Sequence, residues 1–270
     1  MMRYRWILFL VMIALLPVAP ARAQDDAVAE LAKKLANPIA SLISVPLQYN
    51  YDKYGGRNDD ASVSSLILQP VIPFSLGKDW NLITRTILPL MDRHGFPSTG
   101  TNESGLGDIV ASQFFTPKSL TAGGLIWGAG LAELLPTATD NALGSEKWGI
   151  GPTAVLLKQQ GGWTLGFLGN HIWSVAGDND RADVNATFLQ PFVSYTVNRT
   201  KTTIGLVTES TYDWKNSEWS VPVIPGVAQM LKIGPQILQL AVFGKYWATS
   251  PDNGPEGWGV RVQLTFVFPQ

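Results

Sequence analysis

Two histidines, His94 and His171, are the only side chains of this 270-residue chain with an ordinary pKa near neutrality, and there is no cysteine. Thiol catalysis, disulfide scaffolds and Cys-ligated zinc are therefore excluded. A serine hydrolase needs a base within hydrogen-bond reach of its nucleophile. In "GNHIWS", Ser174 lies three residues from His171. On a strand that odd spacing sends the two side chains to opposite faces. Ser194 and Ser220 remain as partners from neighbouring strands. Asp178, Asp180 and Asp183 of "AGDNDRAD" supply oxygen ligands of the type that hold divalent cations. The segment lacks the length and closing Glu of an EF-hand loop, and solvated loop charge is the stronger reading. The sequence thus implies no metal or cofactor.

The other candidate residues are charges and amides set inside strand-like segments. "GVRVQLTFVF", near the C-terminal end, alternates Val260, Val262, Leu264 and Phe266 with Arg261, Gln263, Thr265 and Val267. "ILQLAVFGKY" sets Leu238, Leu240 and Val242 against Gln239 and Lys245, and "TIGLVTESTY" sets Ile204 and Leu206 against Glu209 and Thr211. Arg85 shares a face with Asn81 opposite Leu82 and Leu88, and Gln190 opposes Leu189, Val193 and Tyr195. A Lys or Arg facing hydrocarbon at mid-membrane costs about 2–4 kcal/mol. If the apolar faces meet lipid, these polar residues must line a lumen. Asp108 and Glu133 lie in strands with blurred alternation and are assigned inward with the rest. The expected lumen therefore has mixed charge, either a polar passage or a set of ion pairs that stiffens the wall.

The segments that position these residues have a common period and length. "ISVPLQYNY" places Ile43, Val45, Leu47, Tyr49 and Tyr51 on one face. Similar stretches fall near 63–74, 80–91, 106–116, 123–135, 147–158, 163–175, 184–197, 202–213, 218–229, 236–248 and 257–268. With the first, they make twelve. The connections alternate in length: "DKYGGRNDDA" is long and "SLGKD" tight, "DRHGFPSTGTNESG" long and "PKSLT" tight, and so on to "TSPDNGPEG". Short turns at one end and longer loops at the other are the asymmetry of outer-membrane barrels. An even strand count puts both ends of the barrel segment on the short-turn, periplasmic side.

Composition agrees. The chain has ten Trp and only 15% charged residues, unusual for a water-exposed surface. Trp80, Trp163, Phe114, Phe115, Tyr195 and Phe268 fall near the short turns. Tyr49, Tyr51, Trp148, Trp173, Trp214, Trp219, Trp247 and Trp258 fall near the long loops. This reads as two interfacial girdles.

Residues 1–23 read as a secretory signal peptide. Arg3 and Arg5 precede an apolar run from Trp6 to Leu16, and Ala21-Arg22-Ala23 provides a small-residue cleavage site. The run is shorter than the ~20 residues of a spanning helix. With Arg3, Arg5 and Arg22 in the leader, 17 of the 20 basic residues remain against 21 acidic, a net −4. That argues against nucleic acid as a partner. Residues 24–38 contain a helical stretch ended by Asn37-Pro38, read either as a periplasmic leader or as a helix tucked into the body. Residues 39–270 are the barrel.

The stretches "LANPIASLISVPLQYNYD", "GLGDIVASQFFTPK", "LPTATDNALGSEKWGIGPTAVL", "WSVAGDNDRADVNATFLQPFVSY" and "SPDNGPEGWGVRVQLTFVFPQ" resemble a Gram-negative outer-membrane barrel family labelled transporters. The family is associated with the meta-cleavage pathway of phenol degradation and sometimes carries the mistaken label neuromedin U. The resemblance runs from Leu35 to Gln270. It implies an outer-membrane protein that passes small organic or aromatic compounds. The terminal strand, with Phe268 near its end, resembles the signal that barrel assembly machinery reads.

The sequence therefore predicts an all-β, up-and-down, twelve-stranded transmembrane barrel with a short N-terminal helix, and no enzyme. Its expected partners are outer-membrane lipid, a small-molecule solute and the assembly machinery. The alternatives are a lipid-active hydrolase using His171, and a structural or adhesive barrel acting through its long loops.

Overall fold

In the segment "KWGIGPTAVLLKQQ" every second residue from Lys147 to Leu157 is buried, and those between are exposed. The exposed set includes Trp148, Ile150 and Leu156. A strand that shows its large apolar side chains to the outside is not the wall of a water-soluble protein. The computed structural model describes residues 22–54, 61–95 and 101–269, and repeats this pattern around a closed wall. Most of the expected leader lies outside the described residues.

Helix α1 (Arg22–Leu35) is followed by β1 (Ile43–Lys53), β2 (Ser62–Leu68), β3 (Val71–Leu76), β4 (Trp80–His94), β5 (Asn102–Leu106), β6 (Ile109–Pro117), β7 (Leu125–Leu135) and β8 (Lys147–Gln160). Then come β9 (Trp163–Gly177), β10 (Asn185–Val197), β11 (Thr202–Thr208), β12 (Ser210–Asp213), β13 (Glu218–Ile233), β14 (Gln236–Thr249) and β15 (Gly257–Phe268). Three pairs are single staves with a break. β2 and β3 keep one register against β4 across Gln69-Pro70, where Pro70 has no amide hydrogen to donate. β11 and β12 keep one register against β13 across Glu209. Between β5 and β6, Gly107 and Asp108 together face one residue of β4, a bulge that shifts the register by one.

That leaves twelve antiparallel staves, each paired with its sequence neighbours, and β1 pairs with β15 from Ile43↔Phe268 to Tyr51↔Val260. The barrel is closed, so no strand edge is left unpaired. The short turns carry the required left-handed residues, with Gly77, Gly161, Gly234 and Lys201 all at φ between 57° and 69°.

The girdles form largely as expected. Trp80 and Trp127 pack edge to face at 5.9 Å, and Trp163 meets Tyr195 at 4.9 Å, at the short-turn end. At the other end Tyr246 packs on Trp258, and Tyr212 lies between Trp214 and Trp219. Two of the expected girdle residues are elsewhere. Phe114 is 1% exposed and packs inside the barrel. Trp247 points inward and donates its indole N–H to Asp52.

The inside is filled unevenly. On β4, β6, β8 and β9 the inward residues Ile83, Phe114, Val155, Leu157 and Leu168 form an apolar core with Ile39. On the opposite side, Met230 and Val267 meet Ala32, Ala40 and Leu42. Both clusters include residues of α1 or of segment 36–42. The N-terminal helix thus lies in the short-turn end of the lumen, packed against the wall. Val28, Leu31, Ala32 and Leu35, at helical spacing, are the face it buries. Gln159 donates to the Lys33 carbonyl, and Asn81 to Ser41 Oγ, fixing the segment to the wall.

Candidate functional site

The site is a cavity of ≈ 260 Å³ in the lumen, bounded below by the end of α1 and segment 36–42 and above by a belt of charges. β15 supplies Arg261 at a position opposite Asn50 of β1, so closure of the barrel brings the two together. Arg261 donates from Nε to Asn50 Oδ1 at 2.8 Å, and from Nη1 and Nη2 to the two carboxylate oxygens of Glu209 at 2.8 and 2.6 Å. The forked guanidinium matches the carboxylate, which makes the pair strong and directional. Asn50 in turn donates to Ser65 Oγ, linking the belt to β2. Nearer the outer mouth, Lys245 of β14 donates to Asp52 of β1 at 2.6 Å and lies 5.0 Å over the Trp247 ring.

Below the belt the walls carry amides and two rings. Gln48, Gln190, Gln239 and Gln263 line the cavity. Phe243 lies opposite Gly226, where a Cβ would come within 1.9 Å of the ring. Phe192 likewise covers Gly166, whose Cβ would sit 2.5 Å from it. Both rings lie against bare backbone, which leaves room for the cavity; any side chain at those glycines would push them into it.

Of the nine residues singled out in the sequence, Arg85, Gln190, Glu209, Gln239, Arg261 and Gln263 line this cavity. Lys245 faces inward above it. Two do not belong to it. The Asp108 carboxylate accepts hydrogen bonds from the Ser145 amide and hydroxyl at 2.6 and 2.7 Å and from the Ala138 amide, so it anchors loop 136–146. Glu133 faces outward, on the same side as Leu131 and opposite Ile150, and accepts from Gln113 at 3.3 Å. The central inward positions of β7 are Gly128, Gly130 and Ala132, too small to contrast with the other face, so polarity was a misleading guide there. Glu133 is two residues from the outer end of β7, near the Trp148 level, where a carboxylate on the lipid face costs little.

Asn50, Asp52, Gln48, Phe192 and Phe243 are site residues that the sequence reading passed over. Gln48 and Asn50 stood on the polar face of the first strand. Asp52 looked like the start of the following loop.

Loop 136–146 folds inward. Inward-facing Arg93 donates to the Ala142 carbonyl at 2.6 Å, Thr139 and Leu143 sit against Gly105, and Leu143 is buried. Arg181 ties the neighbouring loop to it through Asn141, Gly144 and Glu146. Asp183 is shared by Lys147 and Lys215 and accepts from Ser174. Its carboxyl is held below the usual range, first by the Lys147 hydrogen bond and then by that of Lys215. Among the described residues no group of three His, Asp or Glu could hold a metal ion.

The hydrolase geometry does not assemble. His171 faces outward beside Trp173, 4.1 Å between ring centroids, and Nδ1 lies 2.7 Å from Thr187 Oγ1. Ser174, opposite inward Gly149, and Ser194, which lines the cavity, are on the inner face. Ser220 is next to outward Trp219 and also points in. The wall of the barrel separates His171 from all three.

The fold and lumen define a class, the closed antiparallel transmembrane-type β-barrel with an internally folded N-terminal segment. Among solved structures this chain is similar to an outer-membrane channel from Pseudomonas putida F1, with a TM-score of 0.65 and 18% identity over 84% of this chain and 94% of that one. It also aligns with the β-domain of the Bordetella autotransporter BrkA, at a TM-score of 0.42 and 11% identity over 84% of this chain and all of that one, a likeness too distant to carry an argument. No family model matches the sequence, and no curated protein does. The first likeness bears on the fold.

Proposed function

We propose that this protein is a channel of the bacterial outer membrane for passive passage of small solutes, without covalent chemistry, exported by a leader cleaved after Ala23. The observation that carries the reading is the cavity itself. The lumen keeps a space lined by amides, charges and two aromatic rings, although Ile83, Phe114, Val155, Leu157 and Leu168 pack on Ile39 across from it. A barrel serving only as an anchor would have no reason to leave it. Twelve staves lie between the filled small barrels and the open porins, which suits a narrow passage. Small organic compounds, aromatic ones included, fit its size. Loop 136–146, held inward, is then a mouth element.

The test is current across planar lipid bilayers from the full-length protein, with folding verified by heat-modifiable migration on gels. Small, discrete conductance steps are expected, and larger ones after deletion of 24–35. No current and no solute flux from folded protein, with or without that deletion, would refute the channel and leave the structural or adhesive reading.

A further inference from the structure

The charges around the cavity are unequal. Lys34, Arg85 and Arg261 line it against a single carboxylate, Glu209. A concave space with low-dielectric walls and a surplus of one sign concentrates ions of the other sign. The neutral lining also has an order. Phe192 and Phe243 cover Gly166 and Gly226 on the walls, Leu35 and Leu42 form part of the apolar floor, and the Ser194 hydroxyl, buried without a partner, borders the same space.

We propose that this cavity is a binding site for small organic anions, a carboxylate drawn toward Arg85 with a compact apolar body between the two phenylalanine rings and the floor. Arginine suits a carboxylate through its paired N–H donors. The glutamine amides complete the hydration shell that the anion gives up. The volume, at the small end for ligand sites, limits the body to about one ring or a short chain. The proposal deepens the channel reading at the same cavity by naming the solute class.

Calorimetric titration of the folded full-length protein in detergent tests it, using benzoate, its neutral isostere benzamide, and benzylammonium. Benzoate should bind saturably and at least tenfold more tightly than benzamide at low salt, with no binding of benzylammonium. Arg85→Gln should weaken benzoate several-fold and leave benzamide unchanged. Lys34→Gln should act in the same sense and more weakly; Lys34 is exposed on α1, so this variant keeps the fold even if Arg85→Gln disturbs the belt. Equal affinity for benzoate and benzamide, or no benzoate binding by a heat-modifiable barrel, overturns the proposal. The bilayer measurement separates the two readings. Current without benzoate preference removes the anion site and keeps the channel. Benzoate binding without current keeps the site and removes the channel.

Discussion

The two halves of this barrel share one wall construction and differ in what they enclose. From β4 through β9 the inner face carries an apolar cluster, Ile83, Phe114, Val155, Leu157 and Leu168, packed with Ile39 from the N-terminal segment, and only Arg85 of β4 turns a charge toward the cavity. From β12 through β1 the inner face carries Glu209, Gln239, Lys245, Arg261, Gln48 and Asn50. The first half is built as the core of a soluble protein is, and it holds the shape of the cylinder. The second is built from paired charges and amides, which bridge across space without filling it. A barrel of this girth can be rigid on one side and open on the other, and the candidate site lies where the two meet.

The comparison is broken most severely by removing one partner of a buried charge pair. Arg261→Ala leaves Glu209 and Asn50 without their donor inside the wall. A loss of about 3–5 kcal/mol is expected. It is checked by the midpoint of urea unfolding in lipid vesicles, and replacing Glu209 by Gln in the same chain should recover part of it. On the packed half, Leu157→Ala removes a side chain that is 1% exposed. It should cost about 2–5 kcal/mol by cavity formation. Benzoate affinity should fall less than in a variant that touches the cavity wall directly, because Leu157 reaches the cavity only through Phe192 and Val71. Equal disturbance of affinity by both variants would erase the distinction between the halves.

A sharper probe is Gly226→Ala. The added methyl displaces Phe243, and about 1–3 kcal/mol is expected from overpacking, with weaker benzoate binding. Gly205→Ala, whose Cβ meets Ser194 at 3.1 Å, should disturb less.

The smallest effect is expected at the mouth. Asp183 has a depressed pKa, so its tie to Lys147 and Lys215 contributes fully above the ordinary carboxylate range and is lost as pH falls through its own lower value. Limited proteolysis at 178–184 should therefore be unchanged from pH 7 to about pH 5, and increase only in acid below about pH 4. In Asp183→Asn the same cleavage should already occur at pH 7.

The wall was legible in the sequence because its signal is local. Alternation in β1 and β15 assigned Arg261 and Gln263 inward, and loop length assigned the two ends. The lumen was legible only where its residues are polar. Ile83, Phe114, Val155, Leu157 and Leu168 face inward although apolar, and no period distinguishes an apolar inner face from a lipid face. That is why alternation blurred along part of the wall. Glu133 was misplaced for the related reason that the inward positions preceding it, Gly128, Gly130 and Ala132, are too small to declare an apolar face. Asp108 was not legible as a loop anchor, because its partners Ala138 and Ser145 lie some thirty residues further on and no alternation announces them. The position of α1 was legible only as one of two alternatives, a leader or a helix tucked into the body. Its apolar stripe declares that something covers it, and the covering surface is assembled from β13, β14 and β15, roughly two hundred residues later in the chain.

Segment 36–42 joins α1 directly to β1, the stave that closes the barrel. Seven residues reach at most about 25 Å when extended. A helix that left the lumen would therefore stay within a small volume below it, at an effective concentration in the millimolar range. Its return is intramolecular, so occupancy of the lumen by α1 is independent of how many copies the membrane holds. A free peptide copying residues 22–42 would not compete with it at micromolar concentration.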